Sequence, residues 1–219
     1  ILKPIWQKIP ETASRVRNRI ELVWDAAKAK GLCSGENPAR WRGHLDKLLP
    51  KRSKVRRVKH FNALPWQELP EFWRELSAKT CDGSRALRLA ILTACRTGEV
   101  LGAEWSEFDL KGKTWTIPAS RMKGGETYRV PLSDAAVALL KAEQGKHERF
   151  VFPRWGNATA EAPISNMAML MALRRMGRKD ITAHGFRSTF RDWCAEETHY
   201  ARDVCEMALA HKVESDVES

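Results

Sequence analysis

Apolar residues recur at helical spacing through much of this chain, and where they stop doing so the reading changes character. Over residues 11–30, Val16, Ile20, Val23, Trp24 and Ala27 fall on one face, with Arg15, Arg17, Arg19 and Lys28 around the rest and Gly31 as a stop. This predicts an amphipathic helix with a basic outer face. A second, short helix is expected over 39–49 from Trp41, Leu45, Leu48 and Leu49, ending at Pro50. Further on, Pro65 to Thr80 carries Leu69, Phe72, Trp73 and Leu76, and 84–95 carries Leu87, Leu89, Ala90, Ile91 and Leu92. Two more helices follow, the second apolar enough to be central.

From Trp105 the period shortens. Three β-rich runs, SEFDL, TWTIP and TYRVPL, are separated by Lys111-Gly112-Lys113 and by Met122-Lys123-Gly124-Gly125. Turn residues between short runs of this kind predict a small antiparallel sheet with Gly124-Gly125 at a hairpin tip. Helical patterns resume at 133–145, 165–177, 185–197 and 201–210. The expected class is therefore mainly α with a small antiparallel β-sheet, an α+β protein without internal repeats.

Length and composition fit this picture. The 219 residues suffice for one domain of ordinary size or two small ones, and 43% hydrophobic residues with nine Trp can build a core. No apolar run is long enough for a membrane span, and the first residues lack a signal-peptide pattern, so a soluble, intracellular, cytoplasmic protein is expected. Five cysteines without a Cys-x-x-Cys pair suggest neither a disulfide framework nor a zinc site, but small buried thiols.

Charge alters the picture more. The net charge is +11, and residues 1–60 hold 16 Lys+Arg against 5 Asp+Glu, so the whole excess is N-terminal. Within it Lys51, Arg52, Lys54, Arg56, Arg57 and Lys59 place six cations in nine positions with no acid and no usable apolar periodicity. The segment 51–59 reads as a linker and marks a domain boundary. Such a run attracts a polyanion, because each phosphate neutralised releases counterions, and nucleic acid is the leading partner. A solvated basic linker accounts for the same charge about as well.

Four weaker signals concern chemistry. In Ala183-His184-Gly185-Phe186-Arg187, a helix beginning near His184 would set His184 and Arg187 on one face of its first turn, where free N–H groups favour an anion. A local hydrogen bond beside a surface Arg is the plainer alternative. Arg96, following the apolar helix, needs a partner, and Glu99 three residues on could supply it as a structural pair. Lys123 lies at the hairpin tip, and His211 closes the Leu209-Ala210-His211 run.

The order of these signals carries more than any one of them. With RTGEVLGAEWSEFDL, TWTIPASRMKGGETYRVPLS, ITAHGFRSTFRDWCAE and MALAHKVES, the sequence resembles the tyrosine recombinases, specifically integrases of phages, phage satellites and genomic islands. The resemblance runs from about Thr12 to the last residue. It implies a site-specific enzyme that cuts and rejoins double-stranded DNA at attachment sites through a 3′-phosphotyrosine. Residue by residue, it makes Arg96 and Arg187 the catalytic arginines, Lys123 the hairpin lysine, and His184 and His211 the catalytic histidines, with Glu99 supporting Arg96. Lys51, Arg52, Lys54, Arg56, Arg57 and Lys59 would grip the DNA backbone. No cofactor and no metal are implied. Two guanidinium forks can oppose charge building on one phosphodiester, and a lysine can protonate the departing 5′-oxygen.

One departure accompanies the match. The family's nucleophile lies downstream of the final histidine, whereas the two tyrosines here, Tyr128 and Tyr200, both precede His211. The expectation is that the chain stops just short of the nucleophile and is inactive by itself. Residues 1–50 then read as the C-terminal part of a helical core-binding domain, 51–59 as a basic linker along DNA, and 60–219 as the catalytic domain lacking its tyrosine segment. The resemblance also implies a homotetramer on DNA in the intact protein, a monomer for this stretch alone, and an excisionase or host DNA-bending protein as further partners. Two alternatives stand beside it: a non-catalytic DNA-binding integrase remnant or regulator, and the related type IB topoisomerases.

Overall fold

The computed structural model describes residues 2–51, 55, 63–154 and 162–211. It divides into two compact units, Ile1–His60 and Phe61–Ser219. Most of the basic segment, including Arg52, Lys54, Arg56, Arg57 and Lys59, lies outside the described residues; Lys51 is exposed.

The first unit is built on α1 (Leu2–Lys8) and α2 (Pro10–Ala29). The face the apolar spacing predicts is partly buried at Val16, Ile20, Trp24 and Ala27, but its edges are shifted. Val23 is 70% exposed, while Arg17 is only 8% exposed. Arg17 can be buried because its charge is compensated: it reaches Glu21 at 2.6 Å and the Ala39 carbonyl at 2.7 Å, and lies over the Trp41 ring. Trp6 stacks on Trp41 and donates its indole N–H to the Pro50 carbonyl. The helix expected over 39–49 is broken. Arg42 is extended and Gly43 takes φ +76°, a region glycine enters without steric cost, leaving one regular turn, α3 (Asp46–Leu48).

The second unit opens with α4 (Leu69–Ser77) and α5 (Asp82–Thr93). Ala86, Leu87, Leu89 and Ala90 of α5 are buried all round, as a central helix requires, each leucine contributing roughly 1.5–3 kcal/mol on burial. Gly83 lets this helix approach the next layer closely, since a Cβ there would stand 2.4 Å from the Ala168 carbonyl oxygen. The short α6 (Thr97–Leu101) follows, then the sheet β1 (Phe108–Asp109), β2 (Thr114–Ile117) and β3 (Tyr128–Pro131), antiparallel in sequence order. Trp115 pairs with Phe108 and Val130 and is fully buried, stacked on Phe108 at 5.0 Å. Helices α7 (Asp134–Glu143), α8 (Ala168–Arg175), α9 (Gly185–Glu197) and α10 (Arg202–Ala208) follow. Among the described residues the protein is thus predominantly helical with one small antiparallel sheet. Among the described residues no helix is long and apolar enough to cross a membrane. All five cysteines are free thiols; Cys95, Cys194 and Cys205 are buried and Cys33 and Cys81 partly so.

Candidate active site

The site begins where α5 stops. Ala94 takes a left-handed conformation, φ +51°, which ends the helix and turns the chain sharply. Arg96 is then extended and caps α6. The Glu99 carboxylate accepts the Arg96 backbone N–H at 2.7 Å and the Arg96 guanidinium at 2.9 Å. Glu99 is 4% exposed, so its charge is tolerated only with such partners. Arg96 is thereby fixed at both ends, by its backbone and by its fork.

Arg187 arrives from the first turn of α9, with His184 as the residue preceding that helix. Only 6% exposed, Arg187 donates to the carbonyl of Ala94 and to that of Leu209. Its Nη2 lies 3.2 Å from Nε2 of His211. Arg96 donates to the neighbouring Ala210 carbonyl at 3.0 Å. The turn Leu209–Ala210, with Ala210 left-handed at φ +50°, therefore receives both arginines. Burial and then the charges of Arg187, Arg96 and His211 hold the His184 imidazole below its ordinary pKa. Burial, then Arg96, lowers the Arg187 guanidinium likewise, against the pull of Glu99. Two cations are packed side by side with one buried carboxylate, leaving an excess of positive charge for an anion to neutralise.

Four of the sequence-derived residues, Arg96, His184, Arg187 and His211, are thus brought together with Glu99. Lys123 is exposed on the connection between β2 and β3, and no hydrogen bond or ion pair ties its ammonium to the described residues. Neither tyrosine is poised to attack. The Tyr128 hydroxyl donates toward the Ala208 and Met207 carbonyls at 2.9 and 3.0 Å, and burial pushes its pKa up to about 12. Tyr200 is 70% exposed in the turn after α9.

Several neighbours escaped the sequence reading. Glu206 meets Nδ1 of His211 and pairs with Arg191 at 2.9 Å; the His211 hydrogen bond, followed by the charge of Arg191, keeps its carboxyl below the usual range. Their signal was available, since Glu206 lies five residues before His211 at the end of one helix. Arg121 was not legible at all. It binds the Glu107 carboxylate and the Glu99 carbonyl, across 14 and 22 residues of sequence.

The phage integrase family matches residues 64–218, and the central domain of phage integrases matches residues 1–44. The chain belongs to the phage integrase family. It is 37% identical to the prophage integrase IntZ of Escherichia coli K12, over 92% of this chain and 48% of that protein. With the integrase of Enterobacteria phage P4 it shares 33% identity, over 74% of this chain and 40% of that protein. The chain thus spans about half the length, or less, of these relatives. The fold is that of solved tyrosine recombinases. The Tn1549 transposon integrase in complex with circular intermediate DNA superposes with a TM-score of 0.67 at 12% identity, over 97% of this chain and 76% of that one. A lambda integrase tetramer bound to a Holliday junction gives 0.63 at 14% identity, over 100% of this chain and 64% of that one.

Proposed function

We propose that the protein is a site-specific DNA recombinase that cuts and rejoins double-stranded DNA at attachment sites, in the integration and excision of a prophage or genomic island. The observation that carries this is the meeting of Arg96 and Arg187, far apart in sequence, on one turn beside His184 and His211.

In this reading the two guanidinium forks bind the non-bridging oxygens of one phosphodiester. They oppose the charge that gathers on it as a tyrosine hydroxyl attacks phosphorus. The P–O5′ bond breaks as the Tyr–O–P bond forms. Lys123, a compact ammonium on an exposed loop, delivers its proton to the departing 5′-oxygen. His184 and His211 hydrogen-bond the phosphate and move protons, and Glu99 holds Arg96 in place. The nucleophile is a tyrosine downstream of His211, a position that neither Tyr128 nor Tyr200 occupies. Lys51, Arg52, Lys54, Arg56, Arg57 and Lys59 grip the DNA backbone without reading bases, and recombination takes place in a tetramer on two duplexes.

The test is trapping. The full-length protein, incubated with a nicked duplex spanning the junction of the element that encodes it, is expected to form a covalent adduct through tyrosine, which an Arg187→Ala variant does not form. DNA binding with no adduct would replace this reading with the non-catalytic one, a regulator or remnant using the same fold.

A further inference from the structure

Arg121 ends the short 3₁₀ turn Ala119–Arg121 and lies two residues before Lys123 on the connection from β2 to β3. Its side chain is 20% exposed and turns inward, away from the loop that bears it. One arm of the fork takes the Glu107 carboxylate, 7% exposed, on the turn before β1. The other takes the backbone carbonyl of Glu99 in α6. Glu107 is held in turn by the indole N–H of Trp115, at 2.8 Å, from the middle of the core. The chain makes room for this crossing at Gly102, where a Cβ would stand 3.2 Å from the Arg121 guanidinium.

The fold does not demand such a pair. Buried ion pairs replaced by apolar residues of similar volume are often neutral or stabilising, because desolvation offsets attraction. What the fork provides is direction: two planar donors fix two acceptors relative to each other. Here the acceptors are the base of the sheet and the residue whose carboxylate clamps Arg96. The atom chain therefore runs Trp115, Glu107, Arg121, Glu99, Arg96, and its middle member is two residues from Lys123.

We infer that Arg121 is a positioning residue, setting the loop that carries Lys123 in register with the turn that carries Arg96. The inference rests on the proton-donor role proposed above for Lys123, and it is tested so that the two fail differently. In the full-length protein, single-turnover cleavage is compared on two duplexes, one with oxygen and one with sulfur at the 5′-bridging position of the scissile phosphate. In both, the Tyr–O–P bond forms and the bond to the 5′ atom breaks. The oxygen needs the Lys123 proton to leave, whereas sulfur departs as a thiolate without one.

Arg121→Lys, which keeps charge and loses the fork, is expected to slow cleavage of the oxygen duplex by roughly tenfold or more while slowing the sulfur duplex far less. The double variant Arg121→Met with Glu107→Gln removes both charges together, leaves no buried ion behind, and is expected to show the same sulfur rescue, at a urea midpoint lowered only by the Glu99 carbonyl that loses its donor. Lys123→Ala is the reference. If it is rescued by sulfur and both Arg121 variants are slowed equally on the two duplexes, or not slowed, the positioning role is overturned and the proton donor stands. If Lys123→Ala is not rescued either, the proton-donor role falls, and this inference falls with it.

Discussion

The guanidinium of Arg187 stands 3.2 Å from Nε2 of His211, while the other ring nitrogen meets Glu206. Arginine can only donate, so Nε2 accepts, and the proton of the neutral ring belongs on Nδ1, facing the carboxylate. The neutral ring is thus expected in the Nδ1–H form in the unbound protein. Long-range proton–nitrogen correlation spectra of the imidazole check this; an Nε2–H ring would show that Arg187 does not use His211 as acceptor. Glu206→Ala is expected to release the preference.

Arg187→Lys is expected to be costly twice over. A lysine keeps the charge but cannot serve both the Ala94 and Leu209 carbonyls, and a buried carbonyl left unpaired costs on the order of 1–3 kcal/mol. Urea denaturation reads that loss. In the full-length protein, adduct formation is expected to fall by about a hundredfold or more, since the fork proposed to oppose transition-state charge is gone. A parental rate would remove Arg187 from the site.

Much of this was written in the chain. The central helix was legible from Leu87, Leu89 and Ala90, and the sheet from turn residues between short β-rich runs, because burial and turn chemistry are local patterns. Glu99 was readable as partner of Arg96 because three residues separate them. Arg17 reads as a surface residue, since nothing in its own surroundings announces that Ala39 and Trp41 fold back to receive it. The helix over 39–49 failed at Gly43, whose left-handed backbone outweighs the apolar spacing around it. Arg121 and Glu107 were silent because their pairing exists only once the sheet has closed on α6.

His184 is expected to make stability depend on pH. Its folded pKa is depressed, so the unfolded chain binds the proton more readily. Its contribution is present above the ordinary value of 6.5 and is lost as pH falls from there toward the lower folded value. Urea midpoints are expected to decline through that window for the parent and to decline less for His184→Gln. Identical slopes would show that His184 is not held neutral by burial and the charges of Arg187 and Arg96.

Gly83→Ala places a methyl 2.4 Å from the Ala168 carbonyl oxygen, which is backbone and cannot swing aside. Pushing α5 from α8 is expected to cost about 1–3 kcal/mol, seen as a lower melting temperature. Gly98→Ala meets nothing within 4 Å and is expected to be neutral or mildly stabilising.

The basic segment predicts a salt effect. Replacing Lys51, Arg52, Arg56 and Arg57 with Ala together is expected to weaken binding to any duplex and to lower the slope of log affinity against log salt, by about 0.9 for each phosphate that is no longer neutralised. Equal slopes for variant and parent, by fluorescence anisotropy, would show that these residues do not touch the backbone.

The Leu209 and Ala210 carbonyls take up donors of Arg187 and Arg96 that the proposed reaction assigns to a phosphate. A scissile phosphate would then be a rival for seats already taken, and its arrival and the release of that turn would be two halves of one exchange. His211 follows the turn directly, so whatever displaces the turn also moves the imidazole relative to both guanidiniums. In the proposed reaction the backbone of this turn and the phosphate thus compete for the same two guanidiniums.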